Sequence, residues 1–128
     1  MKQVNPGLSK EQKHVLMDKG TETPGTGKFL NHNEDGSYTC ANCGAKLFNS
    51  DDKYESTAPG LIGWPSFDKA IEGAVEERPD KSLLGERTEI VCANCEGHLG
   101  HVFAADDAPS GVHYCINSVS LDFEDKKK

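Results

Sequence analysis

The chain has no long apolar run. Nothing in it approaches the roughly 18 to 20 residues that a membrane-spanning helix needs, which argues against membrane insertion by helices. Its start, Met1-Lys2-Gln3-Val4-Asn5-Pro6-Gly7, carries no apolar signal-peptide core, so a reducing cytoplasm is the expected location. Positive charge is also scarce: 14 Lys and Arg stand against 21 Asp and Glu, a formal charge of -7, which argues against broad electrostatic binding to nucleic acid. The short run Lys126 to Lys128 does not reverse this. Apolar residues make up only 35% of 128 residues, with a single tryptophan, so one modest core in one domain (1–128) is expected, with loose ends at 1–8 and 124–128. So thin a core would benefit from a metal staple.

Glycine and cysteine are what the chain does have. Cys-Ala-Asn-Cys occurs twice, at Cys40 to Cys43 and at Cys92 to Cys95, and Cys115 stands alone. A Cys-x-x-Cys pair converges two thiolates on one ion, and two pairs complete the tetrahedral sulfur shell of structural zinc. Such a shell leaves no open position, so chemistry would lie elsewhere, with Cys115 the candidate. Two disulfides plus a free thiol is the alternative for a secreted chain, and a thioredoxin-like redox pair another. The missing signal core disfavours the first, and the lack of a long helix after either pair disfavours the second. The flanks of the two tetrapeptides differ, which predicts two distant hairpins pinned together rather than a structural repeat.

Ser9-Lys10-Glu11-Gln12 has the form of a capping box, predicting a helix with Val15 and Leu16 on its apolar face and a stop at Lys19-Gly20. Short strands follow at Ser37 to Thr39, Lys46 to Phe48, Ala74 to Glu77, Arg87 to Val91, Leu99 to Phe103 and Val112 to Ile116, with a last one alternating through Val119, Leu121 and Phe123. Residues 49 to 63 read as a functional loop, Ser66 as the cap of a helical turn reaching Ile71, and Arg78 to Gly85 as turn-rich. The fold class is mainly β, with antiparallel sheet.

Cys115 lies in Val112-His113-Tyr114-Cys115-Ile116-Asn117-Ser118. A lone cysteine is commonly just a small buried apolar residue, but His98 and His101 stand immediately after a knuckle that would fix their backbone. Imidazoles beside a thiol stabilise the thiolate and deliver protons. With His113 these histidines offer a second metal site on paper, although no carboxylate cluster accompanies them. His14 and His32, in polar surroundings, read as surface residues, and Asp106-Asp107 as a solvated turn. Trp64, in a Gly-Trp-Pro setting, reads as a pocket ring rather than a core anchor.

The segments Gly63-Trp64-Pro65-Ser66-Phe67, Gly97-His98-Leu99-Gly100-His101-Val102-Phe103 and Tyr114-Cys115-Ile116-Asn117-Ser118, together with the two cysteine pairs, resemble the methionine-R-sulfoxide reductase (MsrB) family over nearly the whole chain. The resemblance implies two twisted antiparallel sheets with peripheral helices, structural zinc on Cys40, Cys43, Cys92 and Cys95, and reduction of the R epimer of methionine sulfoxide, free or in oxidised proteins. By position, Cys115 matches the nucleophile, His98 and His101 the histidines serving the sulfoxide oxygen, Asn117 a residue orienting that network, and Trp64 the ring against the substrate methyl group.

There are three departures. His113 stands where the family usually has arginine. The acidic residue expected shortly after the second histidine has no unambiguous match, since Ala105 stands four residues on with Asp106 next, and none is assigned. No resolving cysteine precedes Gly63, where Pro59-Gly60-Leu61-Ile62 stands, so an external thiol such as thioredoxin is the expected reductant of a Cys115 sulfenic acid. A monomer is expected. The rival reading is a zinc-stapled binding module that keeps the fold without catalysis.

Overall fold

A computed structural model describes residues 7–18, 20, 27, 29–30, 32, 34–54, 64–82, 85–104 and 111–125. The capping box forms as the sequence requires: the Gln12 amide donates to Ser9 Oγ (3.1 Å) and the Ser9 amide to Gln12 Oε1 (2.9 Å). Helix α1, Lys10–Asp18, follows, burying Val15 and Leu16 and packing on strand β7 and the turn before the last strand. Burying two such side chains is worth about 1.5–3 kcal/mol each. The amide of Gly20 turns back to the His14 carbonyl (3.0 Å).

The remaining elements are short strands in two sheets. The smaller has the order β2-β1-β9, from β1 (Gly36–Cys40), β2 (Lys46–Asn49) and β9 (Leu121–Asp125). The larger has the order β3-β4-β8-β7-β6-β5, from β3 (Lys53–Tyr54), β4 (Ser66–Phe67), β5 (Val75–Ser82), β6 (Gly85–Cys92), β7 (His98–Ala104) and β8 (Val112–Ile116). Every pairing among the described residues is antiparallel. The protein is thus mainly β with two antiparallel sheets, as expected. Tyr38, Leu47, Phe48, Phe67, Ile90, Leu99, Ile116 and Leu121 are completely buried in one core cluster. Phe48 of the small sheet stacks on Phe67 of the large one, with centroids 4.3 Å apart, and Tyr38 meets Phe67 edge-on at 5.2 Å.

Several expectations need correction. Arg78 to Ser82 is strand, paired residue for residue with Gly85 to Glu89. Pro79 disguises it, and is tolerated because β5 is the edge of its sheet, where a missing amide costs no ladder bond. Ser66 caps no helix; its backbone belongs to β4, between β3 and β8. Within 49 to 63, Ser50–Asp52 is a 3-10 turn and Lys53–Tyr54 a strand, while 55–63 lie outside the described residues, as does Asp106-Asp107. Val119 sits in the 3-10 turn Ser118–Ser120, so the final strand starts at Leu121. His32 is not a free surface residue: its Nδ1 lies 2.8 Å from the Tyr38 hydroxyl and its ring packs edge-on to Phe29 and Phe123. The ends expected to be loose include packed residues, since Leu8 is buried and Glu124 and Asp125 pair with Ser37 and Gly36.

Candidate metal centre and active site

The two tetrapeptides fold alike. In the first, between β1 and β2, the Gly44 amide donates to the Cys40 carbonyl and the Cys40 amide to the Ala45 carbonyl; in the second, between β6 and β7, Glu96 donates to Cys92 and Cys92 to Gly97. The knuckles are therefore a local repeat, contrary to the expectation from their differing flanks. Backbone hydrogen bonds and a left-handed residue after the second cysteine define the turn, and flanking side chains do not. That residue is Gly44 (φ 79°) in one copy and Glu96 (φ 67°) in the other. A non-glycine residue there costs on the order of 1–2 kcal/mol, and Arg78 offsets part of this by donating to Glu96 Oε1 at 2.9 Å.

One knuckle belongs to each sheet, and the four sulfurs meet between them. Cys40 and Cys95 Sγ are 3.6 Å apart, as are Cys43 and Cys92 Sγ, and all four lie within 4.8 Å of one another. A tetrahedron with arms of roughly 2.3 Å has edges of about 3.8 Å, so the quartet fits a zinc-sized ion. The thiols also show what an ion would supply. A hydrogen bond to Cys92, then burial, pushes Cys40 far above its usual range, while the hydrogen bond from Cys40 draws Cys92 down to about 5. Burial raises Cys95. Four neighbouring thiols cannot all ionise unaided; a cation makes that possible. This is the only such metal-ligand group among the described residues, so His98, His101 and His113 do not form a second.

The second knuckle leads directly into β7, where the ladder explains the histidine spacing. Residues three apart in a regular strand face opposite ways. Here Glu89 pairs with His101 and Ile90 with Gly100, but Val91 pairs with His98, leaving Leu99 as the extra residue of a bulge. The bulge puts His98 and His101 on one face, their ring centroids 5.4 Å apart, while Leu99 points into the core. Its carbonyl accepts from both the Asn117 amide (2.9 Å) and Asn117 Nδ2 (3.0 Å), and the His98 carbonyl accepts from Ser120 Oγ (3.0 Å). Asn117 thus holds the backbone of the histidine segment.

On β8, Cys115 pairs with His101 on one side and with Ser66 of β4 on the other. Directly opposed residues have Cβ atoms roughly 4.5–5.5 Å apart on the same face. A row Ser66, Cys115, His101, Glu89 therefore crosses four strands. Cys115 and His101 are half-buried, open enough to meet a ligand, whereas His98 is buried beyond them. Gly100 allows this closeness, since a Cβ there would overlap the Cys115 carbonyl. Trp64, half-buried, stands two residues before Ser66, and the Pro65 carbonyl accepts from the Ile116 amide at 3.0 Å, tying this segment to the strand of Cys115. His113 shares the face of Cys115 but is completely buried, its ring 5.5 Å from that of Tyr54.

Sequence reasoning missed Glu89. Its Oε2 lies 2.8 Å from His98 Nδ1, with the two side chains 2% and 3% exposed. The acidic residue expected downstream of His101 would fall in 105–110, outside the described residues, while the structure brings Glu89 to His98 from the neighbouring strand. The available signal was a charged residue between Thr88 and the apolar Ile90-Val91-Cys92, in a strand leading to a knuckle.

Residues 8–125 match the SelR domain family. The chain is 49% identical over 118 residues to a Leptospira interrogans protein named peptide methionine sulfoxide reductase MsrB, covering 91% of this chain and 87% of that one. It is 48% identical over 122 residues to a Methanosarcina barkeri protein of the same name, covering 94% and 83%. It is 44% identical over 129 residues to methionine-R-sulfoxide reductase B2, mitochondrial, of Danio rerio, covering 94% and 69%. Among solved structures it resembles the Mis18 "Yippee-like" domain, with TM-score 0.55 and 18% identity over 71% of this chain and 96% of that one, a likeness of fold alone.

Proposed function

This chain belongs to the SelR domain family and is a methionine sulfoxide reductase, and from that premise we propose that Cys115 is its nucleophile and the R epimer its substrate. The observation that carries the assignment is the row in which the half-buried Cys115 faces His101, with His98 alongside. The thiol gives its proton to an imidazole and the thiolate attacks the sulfoxide sulfur. The sulfoxide oxygen takes up a proton, because it leaves the methionine sulfur only as hydroxyl. The hydroxyl ends on Cys115 as sulfenic acid, and methionine leaves with the electron pair. Cysteine sulfur loses two electrons, methionine sulfur gains two, and one proton is released for each one consumed. Trp64 packs against the substrate methyl group.

Cys40, Cys43, Cys92 and Cys95 would hold zinc, which supplies a closed structural link and no reaction site. That leaves Cys115 without an internal thiol to resolve its sulfenic acid. An external thiol, thioredoxin or another, condenses with it to release water, and a second thiol frees Cys115. A reducing compartment such as the cytoplasm suits this cycle.

The test separates the R and S epimers of methionine sulfoxide and measures methionine formed with dithiothreitol as reductant. Reduction of R alone is expected, and it should vanish in Cys115→Ser while zinc content and Tm stay unchanged. Undiminished activity in Cys115→Ser would sink the mechanism, and reduction of neither epimer by wild type would favour a binding module.

A further inference from the structure

We propose that Glu89 is a positioning residue for sulfoxide reduction, acting through His98; this rests on the catalytic reading above. Three observations converge on it. Glu89 pairs with His101 in the ladder and its Oε2 lies 2.8 Å from His98 Nδ1, so one carboxylate stands beside both histidines. The pair is almost wholly buried, and a carboxylate so enclosed is retained only with a partner that meets its charge. The bulge at Leu99 is what turns His98 toward it, and Asn117 and Ser120 hold that bulge in place.

The chemical consequence follows from the inventory of donors. An ionised carboxylate only accepts hydrogen bonds, so Nδ1 of His98 must carry a proton. The tautomer is thereby set, and Nε2, the other ring nitrogen, becomes the atom that exchanges a proton with substrate oxygen or bound water. Among the described residues, the charged and titratable groups that the ladder places on the face of His98 are Glu89 from β6, His101 from its own strand, Cys115 from β8 beyond His101, and Arg78 and Glu76 from β5, opposite Glu89 and Val91. Glu89 touches neither the sulfoxide nor Cys115. Its contribution is to fix which nitrogen of His98 works and to hold the ring against rotation, the part a buried carboxylate plays behind a catalytic imidazole elsewhere.

The experiment uses the full zinc-loaded chain. Single-turnover methionine formation is measured with the R epimer of N-acetylmethionine sulfoxide for wild type, Glu89→Gln and Glu89→Asp. Glu89→Gln should lower the rate at saturation by about a hundredfold, leave half-saturation within about twofold, and be partly rescued by Glu89→Asp. An unchanged rate, or a loss confined to half-saturation, overturns the proposal. Because a buried substitution can unfold the protein, a second measurement needs no variant: long-range proton–nitrogen NMR of 15N-histidine wild type should find His98 protonated at Nδ1. Protonation at Nε2 alone overturns it. An inactive wild type would instead sink the catalytic reading, and the tautomer would still report on Glu89.

Discussion

Replacing Gly100 by alanine drives a methyl group into the backbone of the nucleophile. The new Cβ would overlap the Cys115 carbonyl oxygen and lie 3.0 Å from both the Cys115 carbonyl carbon and Ile116 Cα, where carbon contacts normally begin at about 3.5 Å. No side-chain rotation relieves this, because all three atoms are backbone. Nor is β8 free to retreat, as the Ile116 amide is bonded to Pro65 and the Asn117 amide to Leu99. The strands must separate by something on the order of 1 Å. Overpacking of this kind costs about 1–3 kcal/mol, and with only backbone to yield we expect the upper part, about 2–3 kcal/mol, or roughly 8–12 °C in Tm. Displacing Cys115 from His101 by such a distance should slow methionine formation by about a hundredfold. Gly97→Ala is the control: its Cβ meets the end of the Leu16 side chain at 2.9 Å, which can swing aside, so a loss under about 1 kcal/mol is expected. Urea denaturation and single-turnover assays of both variants decide the matter. Wild-type stability and rate in Gly100→Ala would refute the idea that this close approach sets the site.

Four further outcomes are expected. Cys95→Ser, or a strong chelator, should abolish stoichiometric zinc binding and a cooperative thermal transition, because the quartet joins the two sheets; a metal-free protein with unchanged Tm would contradict this. Ser120→Ala removes the buried hydrogen bond to the His98 carbonyl and should cost about 1–2 kcal/mol in urea denaturation, and no loss would show that the bond is dispensable. Glu96→Gly relieves a left-handed residue but gives up a half-exposed ion pair with Arg78, so a net gain in stability is expected, and a net loss in urea denaturation would contradict it. Burial, then the charge of Glu34, raises the Tyr38 phenol from 10.0 to about 12. The folded state keeps a proton that the unfolded chain releases, so this stabilisation is whole below pH 10 and is lost as pH rises toward 12, reaching about 3 kcal/mol. The wild-type minus Tyr38→Phe stability difference should follow that course, and a pH-independent difference would rule it out.

Local signals carried far in this chain. Ser9 and Gln12 announce the helix because a capping box needs only residues three apart, and Leu121 and Phe123 announce β9 because alternation is visible in one strand. The cysteine quartet was legible because two ligands sit in each short segment. What escaped was set by distant parts. Pro79 conceals a strand whose place at the sheet edge cannot be read locally. His32 has polar neighbours in sequence and aromatic ones in space. Glu89 looks like an ordinary strand carboxylate until β6 and β7 pair, and the bulge that turns His98 toward it leaves no mark in Gly97-His98-Leu99-Gly100-His101 beyond a spacing of three.

That bulge has a bearing on how such a chain can vary. Since one unpaired residue brings two imidazoles to the same side, the segment from Cys95 to His101 behaves as a reading frame. Exchanging Leu99 for another apolar residue alters packing alone. Removing it would leave the two histidines two apart in a regular ladder, still on one side, whereas a regular ladder that kept Leu99 would send one imidazole to the far side. Residue count and pairing register together, rather than the side chain at position 99, therefore decide which face each imidazole takes.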